Sequence, residues 1–304
     1  MGVEKKYQHL IPRVHMKQWA SRINKEKGKD AEVLIYKHNK ENPLANGIEI
    51  NTKDIGGIED YHTITEYSPF LTEDDLKRIS NGEERILDIE DGWQKQLENN
   101  WQSLVNKINN DVLQTKKQFI QEFKKDEIIT LMVCMMYRGF KGIDVVREYV
   151  SDIILKLNLG KDLEEKFIEF YIQDNEVIKN HLLSSMRSFI QGKPDTLIAK
   201  MCELHIDNTT IAFMIAPDDI EFITTDNPSF ECTMSFLNKE GGGTVHIMPV
   251  TPKVALILLR DSDKEGKYKI IKSDIQTVKN LNKVMIESSV EFIISSKENI
   301  SSML

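Results

Sequence analysis

The segment Ile128–Tyr137, IITLMVCMMY, constrains this chain more than any other. It is apolar on nearly every face, so a helix made from it has no side to give to water and must be covered all round. It is too short to cross a bilayer, as is the other long apolar run, VALILL at 254–259. The segment therefore predicts a central buried helix, Glu127–Tyr137 with Asp126 as its cap, that ends at Arg138-Gly139. An arginine at the end of such a helix has two uses. It satisfies the last carbonyls, or it faces a pocket where a guanidinium takes a carboxylate or phosphate.

A buried helix needs others around it, and the flanking sequence supplies them. Thr72 with Asp75 three residues on has the form of a capping box. From Ile86 to Lys125, the residues Ile89, Trp93, Leu97, Trp101, Leu104, Ile108 and Val112 recur at helical spacing and predict one long amphipathic helix. Ile143–Leu157, Lys161–Phe189 and Thr196–Glu203 continue the array, with breaks at Gly160 and at Gln191-Gly192-Lys193-Pro194.

Both ends of the chain read as sheet. Glu32–His38 and Ile48–Thr52 form a hairpin with a long loop. Leu204–His205 leads through a turn at Asp207-Asn208 into Thr209–Ile215. The strands Glu221–Thr225, Glu231–Asn238, Val245–Val250, Lys253–Arg260 and Tyr268–Ile271 follow. Asp274 caps a last helix that carries Asn282 on its apolar face, where the amide must find a partner. The expected architecture is α+β: a mixed or antiparallel sheet built from the N-terminal hairpin and the C-terminal strands, with a large central helical insertion. We expect one domain over residues 1–304, made of an N-terminal segment and hairpin (1–71), a helical region (72–203) and a C-terminal sheet with its helix (204–304).

Composition narrows the function classes. A net charge of −8 gives no general attraction to nucleic acid or anionic membranes, although a local basic cleft remains open. The three cysteines are scattered among apolar residues and make neither a disulfide framework nor a zinc motif. The N-terminus has no apolar leader core, and a cytoplasmic location is expected. One D-x-H pair, Asp60 and His62, is too common a spacing to assign a metal, and the sequence leaves the cofactor unknown.

The candidate site centres on Phe222–Phe230, FITTDNPSF. A strand ends there at Asp226-Asn227-Pro228, because proline pushes Asn227 out of the helical region and Asp and Asn bond their own backbone. The N-terminal stretch YQHLIPRVHMKQWA is too apolar for a solvated tail. It reads as a short extended piece and then a helical turn from Pro12 that carries Met16 and Trp19 inward. His9, Arg13 and Lys17 are spaced by four and would share a face of any continuous helix. Gly56-Gly57 allows unusual backbone angles, and Tyr61 follows it.

These motifs, in this order, resemble a bacterial and phage family catalogued as domain of unknown function 4238. The resemblance rests on His9-x-x-Pro12 with Met16, Lys17 and Trp19, the helix ending in Arg138, Thr-Thr-Asp-Asn-Pro at 224–228, Pro-Val-Thr-Pro-Lys at 249–253, and Asn280 and Asn282 before Val290–Ser295. Two positions depart from the family pattern: Lys17 stands where arginine is usual, and Trp19 where phenylalanine is usual. The resemblance implies that His9, Arg138, Asp226 and Asn227 belong together.

Two functions follow as expectations. In the first, His9, Arg138 and Asp226 are catalytic and Asn227, Arg13, Lys17 and Tyr61 bind ligand. The protein is then a metal-independent nuclease or nucleotide-processing enzyme used as a toxin or phage-defence effector, with nucleic acid or a nucleotide as partner. In the second, the chain is a non-enzymatic binding or sensor module whose polar cluster is structural. Such a module would recognise a protein or a small ligand, and the protein partner is unknown.

Overall fold

The computed structural model describes residues 7–24, 32–64, 68, 71–83, 86–120, 123–157, 166, 173–233, 244–260 and 268–304. The chain begins with β1 (Tyr7–His9), α1 (Arg13–Met16) with a tight turn at Lys17–Trp19, β2 (Arg22–Asn24), β3 (Glu32–Asn39), β4 (Ile48–Asn51) and β5 (Gly57–Glu59). The helical region holds α2 (Glu73–Ser80), α3 (Asp88–Trp93), α4 (Asn99–Lys107), the two-residue β6 (Phe119–Ile120), α5 (Lys125–Arg138), α6 (Gly142–Leu157), α7 (Asn175–Ile190) and α8 (Leu197–Asn208). The remainder is β7 (Thr209–Ile215), β8 (Thr224–Thr225), β9 (Phe230–Thr233), β10 (Thr244–Thr251), β11 (Val254–Arg260), β12 (Tyr268–Lys272), α9 (Ile275–Ser288) and β13 (Phe292–Ser295).

The fold is α+β, with three sheets where the sequence suggested one. The six-stranded sheet runs β6-β12-β7-β11-β10-β9. It is antiparallel except where β12 lies parallel to β7. The second sheet, β2-β3-β13-β8 with β4 on β3, joins the N-terminal hairpin to C-terminal strands. The third is the pair β1-β5, which the glycines at 56 and 57 permit. Gly56 has φ +79°, and a Cβ on Gly57 would strike the Gln8 carbonyl.

The large sheet is apolar on both faces, which explains why β11 reads as an unbroken apolar run. Val254, Leu256 and Leu258 face the helices, and Ala255 and Ile257 face α9 and the second sheet. The helical layer is organised around α5, whose residues are buried from Ile128 to Arg138 except Thr130. α9 covers the opposite face. Its Asn282 amide donates to the carbonyls of Glu221 (2.9 Å) and Met303 (3.0 Å) and accepts from Ile223 N (3.2 Å).

Several boundaries differ from expectation for physical reasons. The long helix stops at Val112 after two widened turns, Gln94–Glu98 and Ile108–Val112, and Phe119–Ile120 then pairs with β12. α5 begins one residue earlier than its assigned cap. Lys124 is the cap, Asp126 lies in the first turn, and Arg138 belongs to the last turn. Leu204–Asn208 is helical, because Asn208 Nδ2 and Thr209 Oγ1 donate to the carbonyls four residues back and extend α8 through the expected turn. The strand expected at Glu221–Thr225 pairs only at Thr224–Thr225, since Ile223 N is taken by Asn282 and Phe222 N by the Pro252 carbonyl. The parts of the expected elements at 161–165, 167–172 and 234–238 lie outside the described residues.

The capping box at Thr72 forms, and its acid carries more than a cap. Asp75 Oδ2 accepts from Thr72 N at 2.8 Å, while both its oxygens take the Arg187 guanidinium of α7 at 2.5 Å. Arg187 holds the Asp75 carboxyl well below the usual carboxylate range. The stability this gives is complete above the unfolded value of about 4. It is lost as pH falls through the lowered folded value. Asp75→Asn should therefore cost about 3 kcal/mol at neutral pH, from the unpaired arginine it leaves. In urea unfolding, its deficit against the wild type should shrink steadily below about pH 4.

Candidate functional site

Pro12 opens α1, and the short helix and tight turn bury His15, Met16 and Trp19. Trp19 Nε1–H donates to the Phe222 carbonyl (2.8 Å), and His15 Nε2 bonds Thr224 Oγ1 (3.0 Å). The N-terminal segment is thereby docked on the stretch that leads to Asp226. His15 packs between the rings of Trp19 and Trp101, and burial takes its pKa to about 3, so it stays neutral.

Arg138 holds the same segment from the helical side. Its Nε and Nη2 both donate to the His9 carbonyl, at 3.0 and 2.6 Å, and Nη1 donates to Glu98 at 2.5 Å. Glu90 Oε2 lies 3.4 Å from Nη2 and 3.3 Å from His62 Nδ1, and the guanidinium sits over Trp93. Glu90 and Glu98, eight residues apart, share a face of the α3–α4 run. The His62 backbone N–H is held by the Gln8 side chain. This is a charged network closed around a backbone carbonyl.

Asp226 serves a different junction. Its carboxylate accepts the backbone N–H of Val290 (2.8 Å), Glu291 (2.5 Å) and Phe292 (3.0 Å), where α9 passes into β13. Its own carbonyl accepts from Phe140 N (3.3 Å), just past α5. Burial pushes its carboxyl above the ordinary range against the pull of the three amides.

The structure brings His9 and Arg138 together through the His9 carbonyl. The His9 imidazole instead bonds the Thr52 carbonyl (3.2 Å) through Nε2. Its pKa is lowered by burial, partly offset by that carbonyl, with Arg13 and Arg138 adding to the fall. Asp226 has the three amides as its carboxylate partners, while the His9 imidazole is held by Thr52. His9 lies on β1 and Arg13 on α1, so the four-residue spacing of His9, Arg13 and Lys17 does not run along one helix. Arg13 Nε is buried without a hydrogen bond. Lys17 has its pKa lowered by burial and then by Arg13 and Lys53. Tyr61 packs edge-on to His62 under Lys179, and burial pushes its phenol up to about 12.

Asn227 faces elsewhere. Its Nδ2 donates to the Ser288 carbonyl (3.2 Å), and its buried Oδ1 has no hydrogen-bond partner. It lines a cavity of about 330 Å³ between α5, α6 and the start of β9. Lys141, Asp144, Glu148, Asp152 and Glu231 also line it, four carboxylates against one lysine. The sequence did not mark this cavity, because its acids come from the solvated face of α6 and from a strand edge. Glu90 and Glu98 were missed too. The signal for them was available, since a buried arginine requires carboxylates at helical spacing.

The elements and contacts define an α+β protein whose two chain ends share a sheet and whose N-terminal segment is clamped between that sheet and a buried helix. The chain belongs to the family described as Protein of unknown function (DUF4238), whose pattern matches residues 7–299. No curated protein and no solved structure matches the chain. Among the described residues, no helix is long and apolar enough to cross a membrane.

Proposed function

We propose that this protein is a non-enzymatic binding or sensor module whose His9–Arg138–Asp226 groups are braces, and whose recognition site is the cavity that Asn227 lines. One observation carries the reading. The Arg138 guanidinium and the Asp226 carboxylate are already engaged by protein groups, Arg138 by the His9 carbonyl, Glu90 and Glu98, and Asp226 by three amides. An arginine reserved for a developing phosphorane charge would keep donors free for it. The cavity has the opposite polarity to a phosphate site. Its four carboxylates and the unpaired Asn227 Oδ1 suit a ligand that is cationic and donates hydrogen bonds.

The test compares two probes by thermal shift, spermidine as a polyvalent amine and AMP as a nucleotide. Spermidine should raise the Tm of the wild type, and the double variant Glu148→Gln/Asp152→Asn should keep its fold and lose the response. AMP should give no shift. Induced expression in a bacterial host should leave RNA and DNA intact. Degraded nucleic acid, or stabilisation by AMP alone, would sink the binding reading and return weight to a nuclease or nucleotide-processing effector.

A further inference from the structure

On the helix-facing side of the large sheet, His246 of β10 stands directly opposite Glu231 of β9 in the antiparallel register. Directly opposed residues present their side chains on the same face. His205 of α8 comes down onto that face. Its ring lies 5.4 Å from the His246 ring, and its Nε2 is 3.5 Å from Glu231 Oε1. One donor atom from each of the three residues falls within 4.8 Å of the others.

The hydrogen bonds settle which atom His246 offers. The Ser229 hydroxyl lies 2.7 Å from the Met132 carbonyl and 2.7 Å from His246 Nε2. The hydroxyl has one proton, and the carbonyl can only accept it. Nε2 must then carry the imidazole proton and donate to the serine oxygen, which leaves Nδ1 with its lone pair. That Nδ1 is buried and has no hydrogen-bond partner, and the same holds for His205 Nε2. A buried ring nitrogen without a hydrogen bond is costly, and here two of them lie beside one carboxylate, His205 Nε2 within 3.5 Å of it. Met132, Ser229 and His246 form the relay that orients metal-bound histidines, a carbonyl fixing the tautomer from the far side of the ring.

We propose that His205, Glu231 and His246 bind a divalent first-row transition-metal ion, with zinc as the best match to two neutral imidazoles and one carboxylate. The His205–Glu231 spacing already suits two ligands about 2.1 Å from a common ion. The Glu231 side chain is 41% exposed, at the solvent side of the cluster. Three protein ligands leave coordination positions open, and Glu231 and Ser229 also line the acidic cavity. The site stands on these residues alone and does not require the cavity to hold an organic ligand.

The full chain, stripped with a chelator, is titrated with Zn²⁺ by calorimetry and with Co²⁺ by visible absorption. The proposal expects one ion per chain in the micromolar range or tighter. The Co²⁺ bands should be those of a nitrogen and oxygen site with open positions, without thiolate charge transfer. Glu231→Gln and His205→Gln should weaken binding by about 100-fold, and Ser229→Ala, which loosens His246, by about 10-fold. Circular dichroism and the Tm of each metal-free variant show whether it has folded. Absence of saturable Zn²⁺ binding to the wild type overturns the proposal. Undiminished binding by folded Glu231→Gln and His205→Gln does the same, as does a thiolate band that assigns the metal to cysteine. Because no amine or nucleotide is present, this result is read separately from the cavity test.

Discussion

Asp226→Ala is expected to lower stability by about 4 kcal/mol, the sum of a lost charged acceptor and the buried amides it leaves unpaired. In a chain of this size that is a fall in Tm of roughly 6 °C. The physical cause is local. Val290, Glu291 and Phe292 present three successive N–H groups where α9 ends, and one carboxylate satisfies all of them. Asp226→Asn keeps one carbonyl acceptor but turns a donor toward the same amides, so an intermediate loss is expected. Differential scanning calorimetry of the two variants checks the ordering. A folded Asp226→Ala protein with wild-type Tm would show that the carboxylate is there for something other than this junction.

The second large effect belongs to Arg138. Arg138→Ala leaves Glu90 and Glu98 without their cation in a largely buried setting and releases the His9 carbonyl, at a cost of about 3–5 kcal/mol. The loss should be unequal across the molecule. Amides in residues 7–19 should exchange with solvent far faster than in the wild type, while those of β7, β10 and β11 keep most of their protection. Arg138→Lys should recover little, because an ammonium cannot span the carbonyl and both carboxylates as the planar fork does. Hydrogen exchange read by mass spectrometry separates the cases. Uniform loss of protection would show that Arg138 supports the whole helical layer and not the N-terminal clamp.

Both effects concern residues that the sequence singled out as catalytic. Arg138 was conspicuous because a guanidinium closes an apolar helix, and Asp226 because Asp-Asn-Pro ends a strand. Neither position disclosed what the group would meet. Its partners were out of reach, since Asp226 meets amides more than sixty residues away and Arg138 meets the carbonyl of a residue on β1. The metal-ligand candidates were less visible still. His205, Glu231 and His246 follow no ligand spacing along the chain, and only strand register and the descent of α8 onto the sheet put them together.

What the sequence determined by itself is what local periodicity and short-range hydrogen bonding control. The buried α5, the hairpin of β3 and β4, the Thr72 and Asp274 caps, the apolar β11 and the demand of Asn282 for partners were all legible there. Tertiary structure alone decided the division into three sheets, the pairing of β3 with β13, and the docking of Trp19 and His15 on the Phe222–Thr224 stretch. It also decided which polar groups are used up and which are left over. The reason is physical. A side chain's type fixes how many hydrogen bonds it needs, but only the packed chain fixes who stands within 3 Å to make them.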